Sequence, residues 1–175
     1  MSQSDYLLGI ASRRPDSDVP EDIVRAGRTI PSLTCGDGPR SRFPSSLVFG
    51  AALQNLDLWV RKGIAPPHAD PIAVVDGKGV VDQFGNLVGG YRTPLLEVPT
   101  TTWFGSSSGG GFCFIAGHEE PFDAARLRQL YGSHQAYVHA VIGSAKALQA
   151  ARLLTGPDAR ALIEQARRSG IPPRR

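Results

Sequence analysis

The sequence predicts an α+β chain, with short β-hairpins and extended segments followed by a C-terminal helical region. Three observations lead there. Apolar residues recur at helical spacing around residues 47–60 and again beyond residue 123. Between them lie brief apolar runs cut by turn-forming pairs, and no βαβ series long enough for a doubly wound sheet appears. The 20 glycines and 14 prolines assign a large share of the 175 residues to loops.

Residues 1–46 read as an irregular polar segment, since Pro15, Pro20, Pro31, Pro39 and Pro44 interrupt any long element. Residues 47–175 read as one α+β region. Its first element is a helix with Leu47, Val48, Ala51, Ala52, Leu56, Trp59 and Val60 on one apolar stripe. Ser45 or Ser46 can cap the start, and Gly63 lies just past the end. After a Pro-rich connector, Ile72–Val75 reads as a strand running into the turn Asp76-Gly77-Lys78-Gly79. Val80-Val81 and Leu87-Val88 flank a second turn at Gly85-Asn86. Leu95 to Trp103 is expected to be an irregular or edge strand, because Pro94 and Pro99 cannot donate to a ladder.

Residues 105–111 form a Gly/Ser loop, and Phe112 to Ala116 is expected to be extended. Three helices follow. Asp123 caps one that runs through Tyr131, and Ser133 opens one with Tyr137, Val138, Val141, Ile142, Ala145 and Leu148 on its apolar side. Thr155, with Pro157 in the first turn, begins the last, which carries Ala159, Leu162, Ile163 and Ala166 on one side and stops at Gly170.

Composition excludes several function classes. The net charge of +3 comes from scattered arginines, apart from Arg167, Arg168, Arg174 and Arg175, so no basic stripe with interleaved aromatics points to nucleic acid. No apolar run approaches the roughly 20 residues that span a bilayer, and no leader pattern opens the chain. A cytoplasmic location is the default expectation, subject to a signal on any N-terminal part outside this sequence. Cys35 and Cys113 lack zinc-type neighbours, and two free thiols are the expected state; a disulfide would need geometry that a sequence does not supply. No cofactor or metal site is expected.

Two features invite a catalytic reading. Gly105-Ser106-Ser107-Ser108-Gly109 matches G-x-S-x-G, the serine elbow, with Ser107 as the nucleophile candidate. That chemistry needs a strand before and a helix after the serine, and here more glycines and an apolar run follow, so a plain loop is the commoner explanation. Of the four histidines, His68 falls in the Pro-rich connector, and His134 and His139 on a helix where packing or capping is the usual role. His118 is the candidate base, since it follows an apolar run and precedes Glu119 and Glu120.

Ala51 to Val60, Gly63-Ile-Ala-Pro-Pro67, Asp82 to Asn86, Gly89 to Pro94, Val98-Pro99, Pro121-Phe-Asp123 and Leu130 to His134 occur in an ordered set over roughly residues 45–168. This set resembles the C-terminal part of a bacterial family of α/β-hydrolase-domain proteins. The resemblance extends upstream to Gln3-Ser4-Asp5 and Arg14 to Asp18, and implies that Asp5 is the triad acid. It also implies an Ala-Gly-x-x-His motif for the triad histidine, but the nearest match, Ala26 to Ile30, has Ile30 at that place. The family's serine elbow and most of its sheet belong before this stretch.

The resulting expectation is a truncated or degenerate α/β-hydrolase-domain protein, not catalytic alone, with a chain or N-terminal half as the partner supplying the sheet. Two alternatives stand beside it. One is an active serine esterase using Ser107 and His118; the other is a small non-enzymatic module that binds a ligand or a protein.

Overall fold

The structure is a computed structural model that describes residues 35–173. Over these the α+β character is clear: short helices and two two-stranded sheets precede a helical C-terminal region. The expected irregular segment 1–46 lies largely outside the described residues. The chain divides into two compact units, one holding residues 35–49 and 103–119 of the described chain, the other residues 50–102 and 120–173.

Helix α1 spans Ser46–Lys62. The Ser45 carbonyl accepts the Phe49 N–H at 3.2 Å, which starts the helical ladder at the expected serine. Its buried face is Leu47, Ala51 and Asn55, spaced four apart, while Leu56, Trp59 and Val60 stay exposed. The single stripe expected from the sequence is thus divided. A polar residue occupies the buried face, where Asn55 Nδ2 donates to the carbonyls of Ala51 (2.9 Å) and Arg152 (2.7 Å), while its Oδ1 is buried without a hydrogen-bond partner.

Strands β1 (Val74–Val75) and β2 (Lys78–Gly79) pair antiparallel, with Val74 opposite Gly79 and Val75 opposite Lys78. Asp76 and Gly77 both have positive φ, 50° and 72°, as the two-residue type I′ hairpin turn requires. The strand is shorter than expected at its N-terminal side. Around the second turn, Asp82 Oδ1 accepts the N–H groups of Phe84 (2.8 Å) and Asn86 (3.0 Å), an aspartate folding its own loop. Gly89 then passes so close to Pro71 that a Cβ would lie 2.0 Å from the proline carbonyl oxygen. No other residue fits there.

The stretch expected to be extended from Leu95 begins instead as helix α2, Pro94–Glu97. Thr93 stands at its N-cap and Pro94 at its first position, where the fixed φ favours helix and the missing N–H is no loss. Strand β3 (Thr101–Phe104) then pairs with β4 (His118–Pro121). Between them Gly111–Ile115 forms a 3₁₀ helix, where an extended run was expected. Tertiary bonding overrides the local apolar pattern there: the Ser107 N–H donates to the Cys113 carbonyl at 2.9 Å, turning the segment back on the loop.

Helices α3 (Ala124–Tyr131), α4 (His134–Ala150) and α5 (Gly156–Arg168) complete the chain. Asp123, Ser133 and Thr155 cap them as expected, each accepting the N–H three residues on. α4 packs chiefly on α5. Tyr137, Val141 and Ala145 of α4, with Ala159, Leu162 and Ala166 of α5, are buried. Val98 joins Tyr137, Val141 and Ala166 in the core, flanked by Tyr131 and Ile171. Tyr131 donates its hydroxyl to the Pro99 carbonyl at 2.6 Å, and burial raises its pKa. No helix among the described residues is long and apolar enough to cross a membrane.

Candidate functional site

The Ser106-Ser107-Ser108 loop lies between the end of β3 and the 3₁₀ helix, and a second segment, residues 35–38, fastens it. Cys35 and Cys113 form a disulfide with Cα atoms 5.6 Å apart, which corrects the expectation of two free thiols. The physical reason is tertiary: 78 residues separate them in sequence, and only the folded chain brings both Cβ atoms within bonding reach. The Gly36 N–H donates to the Ser108 carbonyl at 2.8 Å, and a Cβ on Gly36 would meet Ser108 Oγ at 2.7 Å. Asp37 accepts the Ser108 N–H through Oδ2. That backbone bond, reinforced by the Ser108 hydroxyl, holds the Asp37 carboxyl below its ordinary range.

His118 opens β4 and is buried. Its ring stacks on Phe104, with centroids 4.2 Å apart and planes 3° from parallel. The structure brings the two expected residues together: His118 Nδ1 lies 3.3 Å from Ser107 Oγ. The same Nδ1 lies only 2.7 Å from the Ser106 carbonyl oxygen. A carbonyl only accepts, so this contact is a hydrogen bond when Nδ1 carries the proton, the tautomer that the 2.7 Å approach favours. In that tautomer Ser107 Oγ faces an N–H and not a lone pair. A general base for Ser107 would need the opposite tautomer, which would set two lone pairs against each other at the Ser106 contact.

The oxyanion side is closed in the same way. The Ser107 and Ser108 N–H groups, which follow the pattern's expectation of donors near the serine, are already bonded to the Cys113 carbonyl and to Asp37. The strand precedes the loop, but a 3₁₀ helix of five residues follows, not the α-helix of a nucleophile elbow.

Glu119 points away from His118, as adjacent strand residues do. It is almost fully buried and accepts the Arg42 guanidinium at Oε1 (2.8 Å from Nε, 2.5 Å from Nη2) and the Arg42 N–H at Oε2 (3.0 Å). Sequence reasoning missed Asp37 and Arg42, whose partners are 71 and 77 residues away. The glycines flanking Asp37 were the only local sign of a tight approach. His134 sets its two ring nitrogens against the carbonyls of Ile171 (2.8 Å) and Arg167 (3.1 Å), a tie at the end of α5. His68 borders an open cavity of about 590 Å³ with Asp70, Arg92, Glu97 and Ser144. Arg92 there is engaged by Asp82 at 2.8 Å, by Glu97 and by two carbonyls. Asp5 and the Ala26–Ile30 motif lie outside the described residues. Among the described residues no cluster of three or more metal-ligating side chains occurs.

A family model described as alpha/beta hydrolase domain matches residues 1–164. Comparison with curated proteins and with solved structures finds no match. With the match covering all but the last eleven residues, the chain belongs to the alpha/beta hydrolase domain family.

Proposed function

We propose that this α/β-hydrolase-domain protein is a truncated or degenerate member that does not hydrolyse substrates alone. The observation that supports this reading is the 2.7 Å bond from His118 Nδ1 to the Ser106 carbonyl, which removes the base that Ser107 would need. In this reading the chain contributes packing helices and the walls of a pocket, and the catalytic serine and its sheet come from another polypeptide part. Asp5, through the family resemblance, remains the candidate acid that the chain would offer to that centre.

The second reading, an active serine esterase, is favoured by the 3.3 Å approach of Ser107 to His118. Incubation with a broad fluorophosphonate, followed by intact-mass measurement, separates the two. No adduct beside a labelled control hydrolase is the expected result. A single stoichiometric adduct that is absent from heat-denatured protein and lost in Ser107→Ala would overturn the proposal and establish the esterase.

A further inference from the structure

Residues 35–42 are tied to the rest of their unit at two separate anchors. The first is a run of backbone bonds beside the start of β4. The Ser41 N–H donates to the Gly117 carbonyl at 2.9 Å, and the Glu119 N–H donates to the Pro39 carbonyl at 2.9 Å. The buried Glu119 carboxylate closes this anchor on Arg42. The second anchor holds residues 35–37 on the serine loop itself. It consists of the Cys35–Cys113 bridge, the bond from the Gly36 N–H to the Ser108 carbonyl (2.8 Å), and Asp37 on the Ser108 N–H. Gly109 seats against the bridge. Its φ is 126°, and a Cβ there would lie 3.1 Å from Cys113 Sγ and 3.6 Å from the Cys35 Cα, so the loop is packed directly onto the bridge.

The hydrogen bonds of the second anchor are weak ones, because Gly36 and Ser108 are exposed and water competes for both. The covalent bridge is therefore what keeps residues 35–37 on the loop. Its two sulfurs differ in access, since Cys113 is fully buried and Cys35 is partly exposed. We propose that this bridge is a reducible clasp that keeps the Ser108 N–H occupied, and that a dithiol opens it by attack at Cys35. The first thiolate bonds to Cys35 Sγ, the bridge breaks, and Cys113 leaves as a thiolate that takes up a proton. The second thiol then attacks the mixed disulfide, frees Cys35 and closes the reductant's own disulfide. Two electrons pass to the bridge, and the two protons of the dithiol end on the cysteines. Asp37 is then held only from Pro39 onward and leaves the Ser108 N–H. That donor belongs to the residue after Ser107, the place from which a serine elbow binds a developing oxyanion. Redox state thus decides whether the loop offers it. The clasp acts on the backbone and is independent of whether Ser107 reacts.

The test compares amide exchange in the full chain, oxidised and under excess dithiothreitol at neutral pH. The Gly36 and Ser108 amides should lose protection about tenfold or more beyond any change at Ser41 and Glu119, the amides of the first anchor. Reoxidation should restore that protection. Asp37→Ala in the oxidised chain should free the Ser108 amide alone, with Gly36 still protected. Limiting glutathione should leave its mixed disulfide on Cys35, read by peptide mass. Equal losses at both anchors would make the bridge a staple of the whole unit and overturn the proposal. A Ser108 amide that stays protected in the reduced chain or in Asp37→Ala would overturn it too. So would a bridge that dithiothreitol opens only in denaturant, or glutathione found on Cys113.

Discussion

The Glu119 carboxylate is buried to 2% exposure, yet the Arg42 guanidinium that it binds stands 79% in solvent. The pair is therefore asymmetric: the carboxylate depends on the arginine far more than the arginine depends on it. Removing Arg42 strands a charge in the interior, whereas removing the Glu119 charge leaves a cation that water solvates well.

Arg42→Ala should accordingly cost about 2 kcal/mol, the penalty for a buried charged group short of partners. Glu119→Gln, which keeps an acceptor for Arg42, should cost about half as much. Chemical denaturation of both variants checks the order. Equal losses would show that the exposed guanidinium, and not the buried carboxylate, sets the energy.

The Cys35–Cys113 bridge closes a long loop on a unit with few buried apolar side chains, chiefly Leu47 and Ala116 besides Cys113 itself. Replacing both cysteines by serine should remove about 2–5 kcal/mol from that unit. Hydrogen exchange should then rise over residues 35–49 and 103–119, while α4 and α5 keep their protection. Uniform exchange over the whole chain would contradict this.

Asp82 titrates against its loop. Partial burial works to raise its pKa, but bonds from Arg92 and from the Phe84 and Asn86 N–H groups outweigh it and hold the pKa below the ordinary value. A depressed folded-state pKa stabilises the fold above the unfolded value of about 3.9, and that contribution is lost as pH falls through the folded value. The melting temperature should fall below pH 4, and Asp82→Asn should flatten part of that fall. An unchanged acid limb in Asp82→Asn would assign the loss to other carboxylates.

The tautomer of His118 can be read directly. Long-range proton–nitrogen correlation at neutral pH should show the proton on Nδ1 and a bare Nε2, because the Ser106 carbonyl sits 2.7 Å from Nδ1. A proton on Nε2 would place a lone pair toward Ser107 and support the esterase reading.

The sequence by itself determined the helical C-terminal region, its three caps and a turn beginning at Asp76-Gly77, because each rests on bonds between residues two to four apart, although Lys78-Gly79, expected within that turn, form the second strand. The family was legible for a similar reason, as an ordered set of short motifs. Tertiary structure alone decided that α1 buries Asn55 in place of Leu56, that Phe112 to Ala116 coils instead of extending, and that the two cysteines meet. It also decided which carbonyl faces His118 Nδ1, since Ser106 lies twelve residues away. Such features depend on partners brought from 6 to 97 residues off, and no periodicity or spacing records a bond that forms only after the chain has closed.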